Sequence, residues 1–160
     1  MTTEEKIVKL LLEKKLILTT AESCTGGLIA KRITDVSGSS SVFECGIVSY
    51  SNRIKMKLLS VSEKTLNEFG AVSEQTAKEM AEGALKISNA NLAVAVTGIA
   101  GPNSDDTNKP IGLSFIALSD GKTTKVKKLL NKFSDSPREN NRNASADMAL
   151  EMILEYLSFS

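Results

Sequence analysis

The run Leu92-Ala93-Val94-Ala95-Val96 constrains the fold more than any other stretch of the chain. A half-exposed strand alternates apolar and polar residues, whereas a strand apolar at every position is buried on both faces. This segment therefore belongs inside a sheet with helices packed on it, and the flanking sequence supplies them. Thr2 and Glu5 have the pattern of a capping box, followed by Ile7, Leu10 and Leu11 at helical spacing. Residues 16–21 read as a short strand. Gly26 and Gly27 then open a second helix with Ile29, Ile33 and Val36 on one face. A polar break at 37–41 precedes a strand over 42–50 and helices over 51–59 and 63–69. Ser73 starts a long helix with Ala77, Met80, Ala81, Ala84 and Leu85 on its inner stripe. Beyond the buried strand, residues 111–118 and 123–130 flank Asp120-Gly121, a hairpin signal. Ser136-Pro137-Arg138-Glu139 opens the last helix with a capping-box pattern and proline at the first helical position. Its stripe is Ala146, Ala149, Leu150, Ile153, Leu154 and Leu157. Strands alternating with helices predict an α/β sandwich with a mostly parallel sheet, made mixed by the hairpin.

Composition narrows the chemistry. A length of 160 residues points to one domain, 1–160. The net charge of +1, aromatics at 4% and the lack of tryptophan make no case for nucleic-acid binding. Two cysteines, Cys24 and Cys45, are too few for a disulfide framework, so reduced thiols and a cytoplasmic location are expected. No segment reads as a signal peptide, and no apolar run approaches the ~20 residues of a membrane span. There is no histidine, which removes Ser-His-Asp and Cys-His catalysis and histidine metal sites. Acid–base work falls to Lys, Tyr, Asp, Glu or Cys.

In α/β folds ligands sit beyond the carboxyl ends of the strands. Four segments fall where such ends are expected. Ala21-Glu22-Ser23-Cys24-Thr25-Gly26-Gly27 joins a strand to a helix. Its serine sits near helix-start N–H groups that can hold an anion or an oxyanion, and its glycines admit a ligand close to the backbone. The competing reading is a helix cap with glycines for packing. Cys24 is a rival nucleophile if the helix start lowers its pKa, although a single small cysteine here is more often a packing residue. Tyr50-Ser51-Asn52-Arg53-Ile54-Lys55 is a second strand-to-helix junction. Lys55 is the leading base, provided burial or a neighbouring cation keeps its amine neutral; otherwise it is a solvated lysine beside Arg53 and Lys57. Thr97-Gly98-Ile99-Ala100-Gly101-Pro102 leaves room for a ligand, or is an ordinary turn. Arg138 and Arg142, four apart, fall in or beside the apolar stripe of the last helix and suit a ligand phosphate, or a carboxylate of the chain itself. Asp105 and Asp106 have no companion ligands and read as solvated rather than as a metal site.

Taken in order, these segments resemble the CinA C-terminal domain family. The resemblance rests on Thr20-Ala21-Glu22-Ser23-Cys24-Thr25-Gly26-Gly27-Leu28-Ile29-Ala30, Gly38-Ser39-Ser40, Tyr50-Ser51-Asn52 with Lys55, Gly70-Ala71-Val72-Ser73, residues 97–102, Lys109-Pro110 and the two arginines. It implies a three-layer α/β/α fold and hydrolysis of the carboxamide of nicotinamide mononucleotide, with release of ammonia. It implies Ser23 as nucleophile, Tyr50 and Lys55 as its partners, a small nucleotide as substrate, and a homo-oligomer. The motifs themselves supply no metal cluster, and no metal or cofactor is expected. The chain departs from the family pattern at Asn103-Ser104-Asp105-Asp106-Thr107-Asn108, where glycines are usual, at Cys45, and at Ser136-Pro137 ahead of Arg138.

The expected chemistry is acyl transfer through Ser23, with Lys55 taking the hydroxyl proton directly or through Tyr50. Backbone N–H groups near Thr25, Gly26 and Gly27, with the Thr97-Gly98 turn, would hold the oxyanion. Ala100 and Gly101 would border the substrate, and Arg138 or Arg142 its phosphate. The alternative is a non-catalytic nucleotide-binding module of the same family.

Overall fold

The computed structural model describes residues 1–159. The elements run α1 (Thr3–Lys14), β1 (Leu18–Glu22), α2 (Leu28–Thr34), a 3₁₀ turn (Ser39–Ser41), β2 (Phe43–Val48), α3 (Asn52–Leu59), α4 (Glu63–Phe69), α5 (Glu74–Ile87), β3 (Leu92–Gly98), β4 (Leu113–Ser119), β5 (Thr124–Leu130) and α6 (Pro137–Phe159). The sheet order is β2-β1-β3-β4-β5. β1 pairs parallel with β2 and β3, and β4 pairs antiparallel with β3 and β5. Four strands therefore point one way and β4 alone runs against them, giving the expected mixed, mostly parallel sheet.

β3 is buried on both faces, as its composition requires. Leu92, Val94 and Val96 face a core with Ile7, Leu11, Ile29, Ile33, Ala149, Leu150 and Ile153 from α1, α2 and α6. Ala93 and Ala95 face the other way, onto Leu59, Ala77, Met80, Ala81 and Ala84 of α3 and α5. This second face is nearly all alanine, so α5 can lie close to the sheet. α5 also packs tightly on α3 at Gly83, where an added Cβ would sit 1.8 Å from the Leu59 carbonyl oxygen. The result is the three-layer α/β/α sandwich.

The expected boundaries shift for local reasons. β1 starts at Leu18 rather than residue 16, because Lys15 closes α1 in the left-handed region and the Leu16 N–H bonds back to Leu11. β4 starts at Leu113 rather than 111, because Gly112 has φ 92°. Thr2 and Glu5 form both halves of their capping box. The capping box expected at the last helix does not form. Ser136 stands at φ 44°, away from the extended cap conformation, and the hydrogen bonds here are Asn140 N–H to Ser136 O and Asn140 Nδ2 to Asp135 O.

The parallel strands β1, β2 and β3 end level, with Glu22 opposite both Val48 and Val96. Pairing continues one step further through Ser49 N–H to Glu22 O and Ser23 N–H to Val96 O. β5 ends at the same edge of the sheet, so α6 also begins there. Four chain segments thus converge on one edge. No helix among the described residues is long and apolar enough to cross a membrane.

Candidate active site

A cleft of about 340 Å³ opens at this edge, a volume suited to a small molecule. It is lined by Ser23 and Cys24 after β1, by Tyr50, Asn52 and Lys55 after β2, by residues 97–101 after β3, by Asn103 to Asp105, and by Arg138 of α6.

At its floor the Lys55 Nζ lies 3.0 Å from Ser23 Oγ, 2.9 Å from the Ser49 carbonyl oxygen and 3.1 Å from that of Tyr50. Ser51 caps α3 by accepting from the Ile54 N–H, and Lys55 follows on the inward face of that first turn. It is only 1% exposed. Burial lowers its pKa from 10.5 to about 8, opposed only by the charge of a Cys24 thiolate. The Cys24 thiol is itself pushed up to about 11 by burial, so it is uncharged while Lys55 titrates. The same burial favours the packing reading of Cys24 over the rival one: desolvation outweighs any pull from the helix start.

The three partners of Lys55 suit both of its charge states. A neutral amine has two N–H bonds and one lone pair. Two carbonyls can only accept, so they take the two N–H bonds and leave the lone pair facing the serine hydroxyl. An ammonium instead donates to all three oxygens. The proton can arrive or leave without moving the side chain.

Tyr50 serves Lys55 through its backbone carbonyl. Its hydroxyl accepts from Arg138 Nη2 at 3.0 Å, so the relay from Ser23 through the Tyr50 hydroxyl is not the route this geometry provides. Arg138 Nη1 also donates to the Gly101 carbonyl at 2.8 Å, which holds the guanidinium at the cleft mouth. Arg142 lies behind the Ser23 turn instead, donating from Nε to Cys24 O at 3.0 Å and from Nη2 to Thr25 O at 3.1 Å.

Several expected substrate contacts have other roles. Thr25, Gly26 and Gly27 do not line the cleft. Thr25 is fully buried, a Cβ on Gly26 would meet Arg142 Nη2 at 3.2 Å, and one on Gly27 would meet Val48 at 3.6 Å. Both glycines have positive φ, and they let the turn close against its neighbours rather than against a ligand. Thr97, Gly98, Ala100 and Gly101 do line the cleft. Thr97 Oγ1 donates to Ala71 O at 2.7 Å, and a Cβ on Gly98 would lie 2.6 Å from that of Ser114. The Ala100 carbonyl accepts from Asn141 Nδ2 at 2.8 Å.

Glu22 was not among the expected site residues. Its buried carboxylate accepts from the N–H groups of Ile29 at 2.9 Å and Ala30 at 3.1 Å. The helix start expected to hold a ligand anion is thus occupied by an anion of the chain. The available signal was a lone acid closing an otherwise uncharged strand directly before a helix. Ser49, whose carbonyl holds Lys55, carried no such signal, because any residue supplies a carbonyl.

The model for the CinA C-terminal domain matches residues 1–157. The chain belongs to the CinA C-terminal domain family. Among its relatives, a putative competence-damage inducible protein of Thermoanaerobacter sp. (strain X514) is 47% identical over 154 residues, 96% of this chain and 37% of that protein. A CinA-like protein of Syntrophus aciditrophicus (strain SB) is 47% identical over 157 residues, 98% of this chain and 37% of the relative. The chain therefore spans little more than a third of the length of these curated relatives. Among solved structures, the competence/damage inducible protein CihA from Agrobacterium tumefaciens is 42% identical with a TM-score of 0.86, covering 99% of this chain and 97% of that one. A CinA superfamily protein from Klebsiella pneumoniae is 26% identical with a TM-score of 0.93 over the same shares. The CinA domain fold thus extends over nearly all of this chain.

Proposed function

We propose that this CinA domain is a serine amidohydrolase that converts the carboxamide of nicotinamide mononucleotide to the carboxylate and releases ammonia. The observation that carries the reading is Lys55, buried, with a pKa of about 8, and 3.0 Å from a serine hydroxyl at a strand end. A structural lysine has no need of a depressed pKa, whereas a general base working near neutrality does.

Neutral Lys55 takes the Ser23 proton as Oγ attacks the carboxamide carbon. In the Ser23 turn, the N–H of Gly26 is committed to Ser23 O. That of Cys24, which lines the cleft, enters no hydrogen bond among the described residues, which leaves it to meet the oxyanion. One such donor contributes about 3–4 kcal/mol. The Lys55 ammonium then gives its proton to the departing nitrogen, which leaves as ammonia. Water, deprotonated by the same amine, hydrolyses the ester to free acid and Ser23.

The substrate assignment draws on the cleft's charges. Nicotinamide mononucleotide joins a cationic pyridinium to an anionic phosphate. The cleft offers Arg138 at its mouth for the phosphate and Asp105 as an acidic wall. The Asp105 carboxylate is fixed by bonds from the Thr107 N–H and hydroxyl through one oxygen.

The test is ammonia release from nicotinamide mononucleotide by the purified chain and by Ser23→Ala. Release by the wild type alone supports the reading. Binding without release by the wild type would make the domain a nucleotide-binding module.

A further inference from the structure

We infer that Arg142 is a positioning residue that sets the oxyanion donor of the Ser23 turn, the Cys24 N–H, rather than a phosphate ligand. The inference rests on the proposed serine chemistry and deepens it.

A trans peptide unit is planar, so its C=O and N–H point in opposite directions. Fixing the carbonyl fixes the N–H. Arg142 holds two successive carbonyls with one guanidinium, Cys24 O through Nε and Thr25 O through Nη2. The first bond sets the Cys24–Thr25 peptide and turns the Thr25 N–H away from Arg142. The second sets the Thr25–Gly26 peptide, whose N–H then donates to Ser23 O at 3.0 Å. That bond in turn orients the Ser23–Cys24 peptide and the N–H of Cys24. Three consecutive peptide planes are locked from one side chain, and the Cys24 N–H left over at the cleft belongs to the residue directly after the nucleophile. On strand-to-helix turns that carry a nucleophile, the N–H of the following residue is the usual oxyanion donor.

The packing agrees. Gly26 has φ 61°, and a Cβ there would press on Arg142 Nη2 at 3.2 Å, so the glycine lets the guanidinium approach the turn closely. A planar fork suits two adjacent carbonyls, whereas an ammonium offers a single point. Arg142 does not line the cleft, while Arg138 does. The two arginines, equivalent by sequence spacing, divide the work: Arg138 faces the ligand and Arg142 holds the catalytic turn.

The test compares Arg142→Ala and Arg142→Lys with wild type on nicotinamide mononucleotide and on nicotinamide riboside, which lacks the phosphate. A misplaced donor costs roughly a hundredfold. The expected result is a fall in kcat of about that size for Arg142→Ala on both substrates, with KM nearly unchanged and partial recovery on adding methylguanidinium. Arg142→Lys should fall between, and it carries the test if the alanine variant does not fold. Unchanged kcat, or a rise in KM confined to the phosphorylated substrate, overturns the inference. Acylation of Ser23 by p-nitrophenyl acetate needs the same donor but neither amide nor nucleotide. Slowed acylation in the variants upholds the role of Arg142 even if the wild type releases no ammonia from nicotinamide mononucleotide. That second outcome overturns the substrate reading alone.

Discussion

Arg138 and Tyr50 meet across the mouth of the cleft, with Nη2 of the first 3.0 Å from the hydroxyl of the second. They come from α6 and from the end of β2, 88 residues apart. A phosphate entering here would replace the phenol as the partner of Arg138, exchanging a neutral hydrogen bond for a charge-assisted one. Arg138→Ala should therefore raise KM for nicotinamide mononucleotide by about tenfold or more while leaving kcat within a few-fold. Tyr50→Phe should change either constant less than about threefold, because Lys55 uses only the Tyr50 carbonyl. Steady-state kinetics on the two variants checks both. A Tyr50→Phe variant as slow as Ser23→Ala would restore the phenol to the proton path.

Cys24 lies next to Ser23 and borders the same cleft, yet its thiol stays protonated near neutrality because burial pushes its pKa to about 11. Cys24→Ala should keep activity within about threefold of wild type, and the wild-type thiol should alkylate far more slowly than a free cysteine. Timed labelling with iodoacetamide, read by mass spectrometry alongside residual activity, measures both. Rapid labelling that removes activity would make Cys24 the reacting group.

Glu22 binds the start of α2 to the end of β1, one residue before Ser23. In Glu22→Gln an amide NH₂ would face a backbone donor, leaving buried polar groups unpaired. The expected loss is about 1–3 kcal/mol of folding stability, read as a lower denaturant midpoint at unchanged slope. A midpoint equal to wild type would show that the cap contributes nothing.

The close approach of α5 to α3 gives a separate test of the fold. Gly83→Ala would drive a methyl group into the Leu59 carbonyl, a backbone atom that cannot swing aside. Despite the better helix propensity of alanine, the variant should lose about 2 kcal/mol or more in a urea titration. A stabilised variant would contradict the packing of α3 on α5.

Much of this was legible in the sequence because it depends on local pattern. The apolar run at Leu92 required a two-sided sheet, and Asp120-Gly121 marked the hairpin. The nearness of Ser23 and Lys55 was legible because the chain has no histidine and both follow strand ends expected at one edge of the sheet. The roles of Arg138 and Arg142 could not be separated by spacing. Residues four apart share a helix face, and only the tertiary position of the Ser23 turn decides which one meets its carbonyls. Gly26 and Gly27 look the same whether they make room for a ligand or for a guanidinium and a valine. The failed cap at Ser136 follows from its φ, which the Ser-Pro pattern does not reveal.

The central claim is that neutral Lys55 deprotonates Ser23, and single-turnover ammonia release from nicotinamide mononucleotide across pH tests it most directly. Burial destabilises the charged amine, so the free base gains as pH rises toward about 8. The wild-type rate should climb about tenfold per pH unit below that value and level off above it. Lys55→Arg keeps the charge but cannot shed its proton, and it should be at least about a hundredfold slower across the range, without the same inflection. A Lys55→Arg enzyme with near-wild-type rates and the same pH profile would contradict the account.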